Sequence, residues 1–200
     1  MGSALEEITP DLQAWIAEQK VFFVATAPLS ADGHINLSPK GGDSFRVLGP
    51  RRVAYLDLTG SGAETIAHLR ENGRIVVMFC AFSGPPKILR LHGRGEVVRE
   101  GHAEFAALHA LFPPTPGSRS VIRIEVDRVG NSCGFAVPEY VFRRHRDTLD
   151  TWAAKQGPHG IAAYQSRKNA RSLDGLPALD PPPENPAEKS AEGFGTRAAL

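Results

Sequence analysis

Two short stretches of the sequence combine hydroxyl, lysine and glycine residues in a way that suits an anion. The first is TGSGAETIAHLREN, Thr59 to Asn72, which follows the apolar run VAYLDL. Thr59, Ser61 and Thr65 bring hydroxyl donors, and Gly60 and Gly62 let the backbone approach a ligand closely. The helix opening there adds free N–H groups and the positive end of its dipole. The second stretch is NLSPKGG, Asn36 to Gly42, which sets the Ser38 hydroxyl and the Lys40 ammonium beside two glycines. Lysine is an effective point charge for a phosphate. Alone, the first reads as a helix cap and the second as a surface turn; on neighbouring strands they would close on one phosphate from opposite sides.

Other chemistries find no support. The chain has no GxxxxGK[ST], GxGxxG or HExxH. Its seven histidines, at 34, 68, 92, 102, 109, 145 and 159, include no HxH pair and read as solvated or structural. The basic cluster RRHRD, Arg143 to Asp147, reads as a solvated helix start.

These stretches need elements to hold them. ITPDLQAWIAEQ reads as a helix capped by Thr9, with Pro10 at its first position and Leu12, Trp15 and Ile16 on one face. VFFVATA, Val21 to Ala27, is a strand, and the turn ADG leads into HINLSPK as its hairpin partner. FRVLG and VAYLDL are further strands, and the helix after Gly62 ends at Asn72-Gly73. RIVVMFCAF reads as a strand buried on both faces. In KILRLHGRGEVV, Gly93 and Gly95 mark a bend or bulge. HAEFAALHALFP is an amphipathic helix stopped by two prolines, SVIRIEVDRVGNSCG an alternating strand, and YVFRRHRDTLDTWAAKQG turns helical. Strands outnumber helices and sit next to one another, so an antiparallel barrel with helices packed outside is expected. The expected organisation is an N-terminal helix over 1–20, the barrel over 21–130, a helical extension over 131–176, and a Pro-rich disordered tail over 177–200.

With 200 residues the chain needs no disulfide or metal to fold, and a formal net charge of +1 argues against a broad affinity for nucleic acid or anionic membrane. Cys80 and Cys133 read as free, reduced thiols, and no apolar stretch approaches the length of a membrane span. A cytoplasmic protein is expected.

From about Val21 to Asp127 the segments VFFVATA, HINLSPKGGDSFRVL, VAYLDLTGSGAETIAHLREN, RIVVMFCAF and ILRLHGRGEVV, in that order, resemble the pyridoxamine 5′-phosphate oxidase-like group of FMN-binding split-barrel proteins. NSCGFAVPEY, WAAKQG and KNARSLDGLPAL resemble a branch with a long C-terminal extension. The resemblance implies a mainly β fold, a six-stranded antiparallel split barrel, and a homodimer with FMN at the subunit interface. It assigns Lys40 to the flavin phosphate, with Thr59, Ser61 and Gly62 over the same phosphate and Thr65 in reach. Ser38, Pro39, Tyr55 and Asp57 would flank the ribityl chain and ring, and Arg90 is a further candidate. Ile35 replaces the strand-two arginine of the oxidase proper, Gly62-Ala63 replaces its basic pair, and its C-terminal substrate signature is not recognisable. Oxidation of pyridoxamine phosphate is therefore not assigned. The expectation is an FMN-dependent oxidoreductase acting on a small molecule, without nucleic-acid or membrane partners. The alternative is a non-catalytic barrel holding a flavin, haem or deazaflavin.

Overall fold

A computed structural model describes residues 3–179. Its elements in chain order are β1 (Ser3–Leu5), α1 (Pro10–Glu18), β2 (Val21–Thr26), β3 (Asn36–Gly41), β4 (Phe45–Gly49) and β5 (Arg52–Leu58). They continue with α2 (Glu64–Asn72), β6 (Arg74–Cys80), β7 (Ile88–Val98), α3 (Phe105–His109), β8 (Ser118–Ser132) and α4 (Thr148–Lys168). One antiparallel sheet runs β3-β2-β6-β7-β8-β5-β4, with β1 paired to β8, and it curls into a half-barrel flanked by helices.

The strands alternate as their sequences require. In β2, Phe22, Val24 and Thr26 point inward while Val21, Phe23 and Ala25 point out. The core is built on Phe22, Phe45, Tyr55 and Phe79, with Phe22 and Phe45 centroids 5.0 Å apart and Phe45 and Phe79 5.1 Å apart, both edge-on. Helix α1 closes one end with Leu12 and Ile16, its first turn capped by the Thr9 hydroxyl accepting from Leu12 N. The bend expected at Gly93 is a register shift between His92 and Gly93, where a Cβ would lie 2.1 Å from the Glu125 carbonyl.

Three expectations change. The sheet has seven strands along its path rather than six, because FRVLG is a full strand on the β5 edge; the short β1 adds another on β8. Helix α3 spans only Phe105–His109, since 102–104 are spent in a turn closed by Phe105 N donating to His102 O. Residues 140–147 form no helix. Their bonds go to the barrel instead: Tyr140 N donates to Phe82 O, and Gly42 N donates to His145 Nδ1. Helix α4 starts at Thr148 and is broken by Gly157, at φ +65°, ahead of Pro158.

The chain then folds back. Residues 169–179 close a loop with a bridge between Arg171 and Pro177, and Ala178 and Leu179 are buried against Ala63, Ile66 and Ala67 at the start of α2. The tail expected to be disordered lies, from residue 180, outside the described residues.

Candidate functional site

Strand β3 is a sheet edge, paired to β2 alone. Its register sets Asn36, Ser38 and Lys40 opposite Thr26, Val24 and Phe22, so its polar residues share the inward face while Leu37 and Pro39 point out. Strand β5 ends at Leu58, and the chain turns through Thr59–Ala63 into α2. Two side-chain links join these unpaired elements. Lys40 Nζ lies 3.7 Å from Asp57 Oδ1, and Asn36 Nδ2 donates to Thr65 Oγ1 at 3.0 Å. The two anion-suited stretches thereby face one another across an open cleft of about 470 Å³. Its walls are Asn36–Lys40 on one side and Gly60–Gly62 on the other; Arg119, Glu64 and Leu173 also line it, and the Glu64 carboxylate lies against Gly62.

Charge at the base of the cleft is organised around Asp57, which is fully buried. Arg119, whose side chain is 4% exposed, grips it through Nε–Oδ2 at 2.7 Å and Nη2–Oδ1 at 3.2 Å, and Ser120 donates to Oδ2 at 3.2 Å. Burial pushes the Asp57 carboxyl up, but Arg119, Lys40 and the hydrogen bonds outweigh it and hold its pKa below the ordinary carboxylate value. Asp57 is therefore a fixed anion that orients two cations.

The turn is held by its carbonyls. Arg119 Nη1 donates to Gly62 O at 3.0 Å, and Asn169 Nδ2 donates to Gly60 O at 3.0 Å. Thr59 donates its hydroxyl to Gly117 O at 2.8 Å and accepts from Gln165 Nε2 at 2.8 Å. Among the described residues, no acceptor meets the N–H groups of Gly60, Ser61 or Gly62. A turn whose carbonyls are tied back while its amides stay unbonded is an anion-binding arrangement, and the start of α2 adds to it.

Beneath the cleft runs a polar chain. Ser38 donates to Asn36 Oδ1 at 3.1 Å, Asn36 donates to Thr26 and Thr65, and the Thr26 hydroxyl meets His68 Nδ1 at 2.9 Å. His68 is fully buried; burial pushes its pKa down, overcoming Asp174, Glu64 and Glu71, so it is neutral at physiological pH. It is a core histidine.

Of the ten residues singled out in the sequence, the cleft walls gather Ser38, Pro39, Lys40, Ser61 and Gly62. Asp57, Thr59 and Thr65 lie behind the walls, bonded as described. Tyr55 faces the core, with its ring 5.6 Å from that of Phe22. Arg90 sits on β7 with Nη1 donating to Ser132 Oγ at 3.0 Å, and it does not line the cleft. Reasoning from sequence missed Arg119, Asn36, Gln165 and Asn169. Asn36 was findable, since it shares the i, i+2, i+4 face with Ser38 and Lys40; the other three come from distant segments with no local signal.

The family model for pyridoxamine 5′-phosphate oxidase matches residues 8–133. The chain is 40% identical over 191 residues to the pyridoxamine 5′-phosphate oxidase family protein ustO of Aspergillus flavus, covering 87% of this chain and 76% of that protein. Among solved structures, HupZ of Group A Streptococcus is 25% identical with a TM-score of 0.49, over 62% of this chain and 99% of its own. A candidate pyridoxamine 5′-phosphate oxidase of Lactobacillus delbrueckii is 19% identical with a TM-score of 0.48, over 62% and 94%. The fold defines a split-barrel class. The chain belongs to the pyridoxamine 5′-phosphate oxidase family.

Proposed function

We propose that this protein is an FMN-dependent oxidoreductase acting on a small molecule. The observation that carries the reading is the convergence of Lys40, Ser61, Arg119 and the acceptor-free amides of Gly60–Gly62 at one cleft. The donor set suits a terminal phosphate. Lys40 and Arg119 are balanced locally by Asp57 and Glu64, so selectivity for an anion comes from the turn amides and the start of α2 rather than from net charge. The flavin, when bound, supplies the hydride chemistry; the protein's residues bind and orient it. Pyridoxamine phosphate is not the proposed substrate, because Ile35 and Gly62-Ala63 stand where the oxidase proper carries basic residues.

The same reading includes a homodimer. The outward face of β3, β2 and β6 sets Leu37 beside Ala25 and Val76, and Pro39 beside Phe23 and Met78. At its edge Ile35 and Leu37 are 77% and 63% exposed.

Purification with flavin absorbance, and reduction of that flavin by NAD(P)H, is the expected result. A colourless protein that does not quench added FMN fluorescence overturns the reading. A flavin that binds but is never reduced by nicotinamide donors transfers the assignment to a non-catalytic cofactor holder.

A further inference from the structure

Helix α4 and the loop after it lie beyond the matched family region, which ends at residue 133, yet they supply two of the contacts that shape the turn. Asn169 is fully buried and stands between the turn and its arginine. Its Nδ2 donates to Gly60 O at 3.0 Å, while its Oδ1 accepts from Arg119 Nη1 at 2.9 Å. A carbonyl on one side and a guanidinium on the other admit only that orientation of the amide, so the pair of bonds is self-consistent. The same Arg119 nitrogen reaches Gly62 O. One asparagine side chain thus ties both glycine carbonyls, one directly and one through Arg119, away from the amides that face the cleft. Gln165, a helical turn earlier, fixes Thr59 at the other end of the turn. Backbone bonds from Ala178 to Ala170 and from Leu179 to Asn169 hold the loop that carries Asn169.

We propose that the C-terminal extension is a working part of the cofactor site: Asn169 is the positioning residue that presets the Gly60–Gly62 turn for a phosphate, and docking of the extension and phosphate binding strengthen one another. The inference rests on the FMN reading above. Linkage makes the coupling reciprocal, so a turn ordered by the extension binds phosphate more tightly and a bound phosphate holds the extension more firmly. The substituent sensed this way is the phosphate alone. Riboflavin has the same ring and ribityl chain without it.

The test compares FMN and riboflavin binding by fluorescence titration for the full chain, Asn169→Ala, Asn169→Asp and Gln165→Ala. Asn169→Ala is expected to weaken FMN by about tenfold to a hundredfold, the range for lost hydrogen bonds to a charged partner, and to leave riboflavin unchanged. Asn169→Asp keeps the acceptor for Arg119 and loses the donor to Gly60, and it is expected to fall between wild type and Asn169→Ala. FMN is also expected to slow amide exchange across 165–176 in the wild type and not in Asn169→Ala. Should Asn169→Ala not fold, Gln165→Ala carries the same phosphate-selective loss at about twofold to tenfold. Equal FMN affinity in every variant, or equal losses for FMN and riboflavin, overturns the inference while the FMN reading stands. A wild-type chain that binds no FMN overturns both.

Discussion

Lys40 and Asp57 illustrate how the site separates two demands on charge. Asp57 is sealed in and saturated by Arg119 and Ser120, whereas Lys40 lies farther off, its side chain 23% exposed on the cleft wall. Lys40→Ala is therefore expected to weaken FMN by about 1–3 kcal/mol in a fluorescence titration, with little loss of fold stability, because Asp57 keeps its arginine. Asp57→Asn is the opposite case. It strands a buried guanidinium and is expected to cost about 3–5 kcal/mol of stability by urea unfolding. The sign of the pH dependence follows from the depressed Asp57 pKa. Its contribution is complete above the ordinary carboxylate range and is lost as pH falls through the lower folded value. Wild type is expected to lose stability steeply on acidification below about pH 4, and Asp57→Asn, measured by thermal melts over the same range, to lose less.

Elements were legible to the extent that their side chains meet neighbours close in sequence. The period-two alternation of β2, the Thr9 cap, the Asn72-Gly73 stop and the His92–Gly93 bulge all have local causes, and the sequence displays them. The strap over 140–147 does not, because its conformation is decided by Phe82, Gly42 and a contact of Lys20 with the Phe142 ring. The same holds for half the site: Lys40 and Ser61 announced themselves through glycine-rich neighbours, while Arg119 and Asn169 act from 57 and 109 residues away along the chain. Docking of α4 makes this testable. Gly117, at φ +75°, has room for a Cβ only 3.0 Å from Ala153 Cβ, and its carbonyl takes both donors of Thr59. Gly117→Ala is expected to cost about 1–2 kcal/mol from the left-handed backbone alone, read in a thermal melt, and to speed proteolysis within α4.

For the whole molecule, the apolar outer face of β2, β3 and β6 matters more than any single contact. Burying it in a homodimer would bring two clefts onto one assembly. Met78→Asp points a charge out of that face without touching the core and is expected to give a folded monomer by light scattering coupled to size exclusion; an unchanged dimer mass locates the interface elsewhere. Finally, β3 pairs with β2 alone, so one row of its backbone groups is open to any passing strand, the usual starting point for edge-to-edge aggregation. Its fourth and fifth residues are a proline and a lysine, which natural sheets use to blunt such an edge. Pro39 and Lys40 thus guard the colloidal solubility of the newly made chain before any ligand arrives, and a lysine placed to meet a phosphate also keeps one molecule from zipping onto the next.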